Sequence, residues 1–247
     1  MKNKPPIPSK GEPTYPMRIN KYLAHKGYAT RRGADELVSA GKIMINGKVA
    51  TLGDKVSEKD TVEVRKPVVE KKLVYLAYHK PVGTITHSPQ RGEKDIKSSL
   101  GGHAGLRDVF PVGRLDKDSS GLIILTNDGR ITDRLLNPDF EHDKEYEVTV
   151  REPLKESFKN RMEKGVDIEG CITKPARMEL LDEHTFRITL QEGKKHQIRR
   201  MAAALGNVVT SLKRVRVLNI NLGSLPPNAH QVIKGDELQE FLGALGL

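Results

Sequence analysis

Five runs rich in β-branched, aromatic and aliphatic residues fall in the last two thirds of the chain. They are VYLAYH (74–79), LIILT (122–126), EYEVTV (145–150), FRITL (186–190) and RVRVLNINL (214–222). Runs of this length and make-up read as strands. Helical periodicity appears between them only near 129–136, 154–163, 196–205 and 236–244. A doubly wound parallel sheet needs a crossover helix after almost every strand. These strands outnumber the helices and do not alternate with them regularly. The pattern therefore predicts an α+β fold, with a mixed, largely antiparallel sheet over residues 73–247.

The first third is organised differently. Ile19, Tyr22 and Leu23 recur at helical spacing and Gly27 supplies a stop. Thr30 is placed to cap a second helix whose apolar face is Ala34, Leu37 and Val38, ending at Gly41. Ile43 and Ile45 then alternate with polar residues, and Asn46-Gly47 predicts a type I′ hairpin. With Val56, Val62 and Val64, these elements form a small module over residues 17–65. Residues 1–16 hold five prolines and three lysines and read as a disordered tail. Residues 66–72 are charged, contain a proline and read as a linker.

Charge separates the same two parts. Residues 1–72 carry 16 Lys/Arg against 8 Asp/Glu, whereas the rest carries 26 against 24. A basic protein with its net charge concentrated in its first 72 residues points to an anionic partner, most commonly nucleic acid. Arg31 and Arg32 fall in the first turn of the second helix, where cations oppose the helix dipole. Flexible arginines can snorkel into solvent. Arg18, Lys21, Lys42 and Lys48 in the same module favour RNA phosphates as their partner instead. The stretch RINKYLAHKGYATRRGADELVSAGKIMINGKVATLGDKV resembles the S4 RNA-binding domain. That resemblance implies binding to structured RNA and names no chemistry.

The one cysteine, Cys171, allows no intrachain disulfide or cysteine-based zinc site, and reads as a small buried or half-buried residue. The eight histidines lack metal-ligand spacing, and no run has the length of a membrane span. The N-terminus carries no signal-peptide pattern, so a cytoplasmic location is expected. GGHAG (101–105) lacks the Gly-Lys-Ser/Thr of a phosphate loop and reads as a flexible segment.

GRLDKDSSGLIILTNDG (113–129) carries the chemistry. Asp116 lies in a polar loop just before a buried strand. Arg114 and Lys117 beside it favour the ionised form, which can act as nucleophile or base. Read without further context, Asp116 is instead a turn residue bonded to its own loop. The segment resembles the signature of the RsuA/RluB/RluE/RluF class of pseudouridine synthases. The likeness continues in HKPVGTITHS (79–88), DKEYEVTV (143–150) and EGKKHQIRRMAAALGNVVTSLKRVRV (192–217). FPVGRLDKDSSGLI, GVDIEGCITKPA and HQIRRM look most like the RluF branch, which modifies large-subunit ribosomal RNA.

This resemblance implies a pseudouridine synthase catalytic domain behind the S4 domain, with Asp116 as its catalytic aspartate. It implies that Tyr146 stacks on the target base and that Arg199 pairs with Asp116. Arg114, Leu115, Lys117 and Arg200 would line the RNA path, with Leu212 as an apolar wall. Ile198, Met201, Ala202 and Leu205 form the apolar side of their helix, so Arg199 and Arg200 must project away from it. His196 is placed to contact RNA without an assigned role. The implied reaction needs no cofactor and no metal. The implied partner of this monomer is ribosomal RNA, with transfer RNA as the alternative substrate. A non-catalytic RNA-binding factor is the rival from another class, and the Asp116, Tyr146 and Arg199 set argues against it.

Overall fold

The computed structural model describes residues 15–29, 31–65, 72–90, 92–100, 106 and 108–247. Most of the tail, the cap at Thr30, residues 66–71 of the linker and the GGHAG segment lie outside the described residues, as does the Arg32 side chain. The N-terminal part runs β1 (Met17–Arg18), α1 (Ile19–His25), α2 (Arg31–Ser39), β2 (Ile43–Ile45), β3 (Lys48–Val49), β4 (Lys55–Val56) and β5 (Val62–Val64). Strands β3, β2 and β5 form one antiparallel sheet, while β1 pairs with β4. Both Asn46 and Gly47 have positive φ, 51° and 76°, as a type I′ turn requires. The Asn46 side chain fixes the turn further, donating to Asp60 and accepting from the Thr61 N–H. Ile19, Leu23, Ala34, Val38, Ile43, Ala50 and Val56 close a core of their own.

The remaining elements are β6 (Tyr75–Lys80), α3 (Ile96–Ser99), β7 (Phe110–Val112), β8 (Ser120–Thr126), α4 (Arg130–Leu136), β9 (Lys144–Val150) and α5 (Glu156–Lys164). They continue with β10 (Arg177–Leu180), β11 (Thr185–Leu190), α6 (Gln197–Ala204), β12 (Val209–Val217), β13 (Ile220–Asn221), β14 (His230–Val232) and α7 (Gly235–Ala244). One sheet joins these strands in the order β10-β11-β9-β12-β8-β6-β14, with β13 on β12 and β7 on β8. Every pairing is antiparallel except β12 with β8, so the sheet is mixed and largely antiparallel.

The two halves of this sheet are buried differently. In β6 and β8, Tyr75, Ala77, Leu122 and Ile124 face α4 and α7. Leu76, Tyr78, Ile123 and Leu125 pack on the opposite side with Ile96, Leu100 and Val109. Burial on both faces explains why VYLAYH and LIILT show no polar alternation. In β11, by contrast, Phe186, Ile188 and Leu190 face the core under α5 and α6 while Thr185, Arg187 and Thr189 face outward.

Two expectations need correction. The run at 214–222 is not one strand. It starts earlier, at Val209, and turns at Leu218, whose φ is 53°, into the short β13. Cys171 is exposed rather than buried, because it follows Gly170 (φ 80°) in a tight loop that turns its side chain outward. No helix of the described residues is long and apolar enough to cross a membrane.

Candidate active site

The loop 113–119 joins β7 to β8 and carries Asp116. Gly113 opens it with φ 83°. Every backbone carbonyl from Arg114 to Ser119 has a donor. Arg214 Nη1 reaches Arg114 O at 3.4 Å, the Thr86 hydroxyl donates to Leu115 O at 2.8 Å, and Ser119 N–H donates to Asp116 O at 3.1 Å. Gly83 N–H donates to Lys117 O at 2.7 Å, Arg199 Nη2 to Asp118 O at 3.1 Å, and Lys80 Nζ to Ser119 O at 2.7 Å. Three cations from three strands or helices thus hold the main chain around the aspartate. A loop bound at each residue places its side chain with little freedom, which is what a reacting group needs.

Lys80 and Arg214 do this from inside the protein. Lys80 has no exposure and Arg214 has 4%. Burial pushes the Lys80 ammonium down to about 8, with Arg214 acting in the same direction and the carboxylates of Asp116 and Asp118 opposing. Gly121 makes the arrangement possible. Where β12 meets β8, a Cβ on Gly121 would lie 2.2 Å from Arg214 O and 2.5 Å from Arg214 N. The two backbones approach so closely only because that position lacks a side chain. Arg214 then also donates to Leu122 O at 2.7 Å.

The Asp116 carboxylate is met from α6, though not by the expected residue. His196 Nε2 lies 3.3 Å from Asp116 Oδ1, and both side chains are partly exposed. Arg199 does not pair with that carboxylate. Its guanidinium donates to Asp118 O, Ser119 Oγ and Val209 O, because α6 begins with its N-terminus at Asp116 and carries Arg199 one turn further along the loop. Arg200, about 100° around the helix, turns to Glu169 at 2.6 Å and to Ile168 O. It is thereby separated from the loop that Arg199 holds.

Tyr146 stands on β9 opposite Arg214 on β12, and Arg214 stands opposite Gly121 on β8. Two strand spacings, roughly 10 Å, thus separate Tyr146 from the strand that leaves the Asp116 loop. Tyr146 is half-buried against the core under α5 and α6. Leu212 is buried in that core opposite Val148, and Leu115 is buried beneath the loop. Arg114 and Lys117 are exposed, and Lys117 pairs with Glu93 at 2.9 Å. Lys144, two residues before Tyr146, is pushed down to about 8 by burial first and by Arg214 second. On the N-terminal module Arg18, Lys21, Arg31 and Lys48 are exposed and Lys42 is half-buried.

Sequence reasoning missed Lys80, Thr86, Arg214 and the contact of His196. Lys80 carried a weak signal, as a cation at the end of an otherwise apolar run.

The sequence pattern of the RNA pseudouridylate synthase family matches residues 74–204, and that of the S4 domain matches residues 17–62. The dual-specificity RNA pseudouridine synthase RluF of Escherichia coli is 40% identical over 230 residues, covering 92% of this chain and 78% of the relative. The ribosomal large subunit pseudouridine synthase B of Bacillus subtilis is 37% identical over 216 residues, covering 84% of this chain and 88% of the relative. A crystal structure of pseudouridylate synthase superposes with a TM-score of 0.68 at 28% identity, covering 93% of this chain and 99% of that one.

Proposed function

The chain belongs to the RNA pseudouridylate synthase family, and from that premise we propose that it converts a specific uridine of large-subunit ribosomal RNA to pseudouridine through Asp116. The observation that carries the reading is the Asp116 loop. Its carbonyls are held by Lys80, Arg199 and Arg214, so its carboxylate is presented at the surface by a fixed backbone. The name of the Bacillus subtilis relative supports the large subunit as the source of the RNA. The dual-specificity name of the Escherichia coli relative makes transfer RNA the second class to assay.

The reaction breaks the C1′–N1 bond, turns the uracil and joins C5 to C1′. C5 loses a proton and N1 gains one, so composition and oxidation state are unchanged and the chemistry calls for no cofactor. The target base must leave its stack, at a cost of a few kcal/mol. Stacking on Tyr146 and contacts to the RNA backbone from Arg114 and Lys117 offset that cost. Attack at C1′, attack at C6 and removal of the C2′ proton all begin from the same carboxylate. The N-terminal module, with its exposed cations, supplies affinity for folded RNA.

The test is Asp116→Asn, which keeps the size of the side chain while removing the charge. Release of tritium from ribosomal RNA labelled at uracil C5 should cease, with RNA affinity unchanged within a few fold. A purified variant that kept about a tenth or more of the parental rate would rule out Asp116 as the reacting group.

A further inference from the structure

We propose that His196 is a positioning residue of this reaction, its Nε2–H holding Oδ1 of Asp116 so that Oδ2 is left for the nucleoside. The proposal rests on the reading of Asp116 given above and extends it to a residue outside the Asp116, Tyr146 and Arg199 set. Three observations converge on it.

The first is the contact. His196 Nε2 is 3.3 Å from Asp116 Oδ1, and among the described residues no other cation lies within ion-pair distance of that carboxylate. The carboxylate is therefore approached from one side, at one oxygen. The backbone gives the second. His196 occupies the N-cap position of α6 in the left-handed region, φ 51° and ψ 31°, and its side chain makes no capping hydrogen bond. A non-glycine residue in that region is uncommon, and such residues gather at functional sites where surrounding structure holds them. With no capping role to explain it, the conformation serves to aim the ring out of the helix start towards Asp116.

The third observation is the structure that holds the turn. Glu192 and Gln197 are both buried. Gln197 Nε2 donates to Glu192 Oε1 at 2.7 Å, Lys194 N–H donates to Gln197 Oε1 at 2.9 Å, and Gln197 N–H donates to Lys194 O at 3.2 Å. Glu192 Oε1 also accepts from Lys174 N–H at 3.0 Å, and Lys194 Nζ lies 3.3 Å from Glu192 Oε2. Buried polar groups on both sides of His196 thus fix the loop from which its ring projects. Arg199, one turn later, holds the backbone of the loop that carries Asp116. Helix α6 thereby sets both the main chain and the carboxylate of the reacting residue.

Three variants of the full chain separate this role from a backbone role and from RNA contact. Glycine fits the left-handed region without strain, so His196→Gly removes the donor and leaves the turn. His196→Gln restores an N–H donor on a chain long enough to reach Oδ1. Asp116→Asn is the control for the underlying reading. The probe is deproteinised ribosomal RNA, labelled at uracil C5, from cells lacking this chain, with tritium release followed in single-turnover reactions at saturating enzyme. His196→Gly should lower the rate by about a hundred-fold, with RNA affinity and melting temperature close to the parent's. His196→Gln should recover about ten-fold or more of that loss. A parental rate in His196→Gly overturns the proposal. So does weakened RNA binding at an unchanged saturated rate, which would make His196 a phosphate contact. Equal rates for His196→Gly and His196→Gln would exclude the donor. An active Asp116→Asn would instead overturn the reading beneath it.

Discussion

Lys80 ends strand β6 with no exposure, its ammonium 2.7 Å from Ser119 O and 3.0 Å from Pro81 O. Burial holds its folded pKa at about 8 against an ordinary value of 10.5. Between those values the unfolded chain binds more protons than the folded one, so stability rises with pH across that window. Below about 8 both states are protonated and the cost of burying the charge is present in full. Lys144 acts in the same sense. Tyr75 and Tyr78, whose hydroxyls are pushed up chiefly by burial, act in the opposite sense only above about 10. Urea unfolding of the parent and of Lys80→Met, each near pH 8 and near pH 10, isolates the effect. The parent should gain about 2 kcal/mol more than the variant between the two, and equal gains would mean that Lys80 does not titrate in this range. At this scale the place of Asp116, in a loop before a buried strand, was legible from its motif. The sequence was not legible where a side chain's aim depends on where a helix begins. Arg199 was expected on a carboxylate and lies on carbonyls, because the left-handed His196 takes the place next to Asp116. Lys80 and Arg214 were missed because cations are almost never fully buried unless paired, and here their partners are main-chain oxygens.

Among the described residues, strands β8 and β12 form the single parallel pairing in the large sheet, and Gly121 sets how closely they meet. An alanine there would place Cβ 2.2 Å from Arg214 O at a φ of 111°. Relief requires β12 to shift, and with it the guanidinium that holds Arg114 O and Leu122 O. Gly121→Ala should cost about 3 kcal/mol or more. Gly243→Ala, inside α7 with nothing within 4 Å of the new Cβ, should gain about 0.5–1 kcal/mol. Thermal unfolding of the pair checks both, and a Gly121→Ala loss no larger than that of an ordinary surface change would remove the close approach from the explanation of the site. The long strands of the catalytic part were readable from their length and their β-branched, aromatic and aliphatic make-up, and its four long helices because each carries enough residues to show a period. Short strands such as β7, β10 and β14 were not, since three or four residues give no period. The break at Leu218 was hidden inside a strand-like run, where a leucine with positive φ leaves no compositional mark.

The small N-terminal module and the large sheet share no strand, and each part has separate core clusters. Where they touch, a Cβ on Gly129 would lie 3.5 Å from Ala24 Cβ, and one on Gly27 would lie 3.8 Å from Arg130 Cδ. The module's own residues 17–65 carry 10 Lys/Arg against 6 Asp/Glu, an electrostatic reason to treat it as the RNA handle. Removing residues 1–65 should leave a folded protein with weaker RNA binding and residual activity on a short RNA. If the module makes about four phosphate contacts, the log–log salt dependence of binding should flatten by roughly three units. An unchanged slope would assign the affinity to the large sheet and its loops. A small module with its own core and a mixed sheet were legible from helix and hairpin patterning and from strand number. Which RNA is modified is not written in either, because phosphate contacts position an RNA without identifying its sequence. The most direct test maps pseudouridine across ribosomal and transfer RNA from cells lacking this chain, then from the same cells carrying either the parent or Asp116→Asn. A uridine of large-subunit ribosomal RNA should lose its modification, regain it with the parent and stay unmodified with Asp116→Asn. An unchanged map without the chain, or restoration by Asp116→Asn, would contradict the assignment.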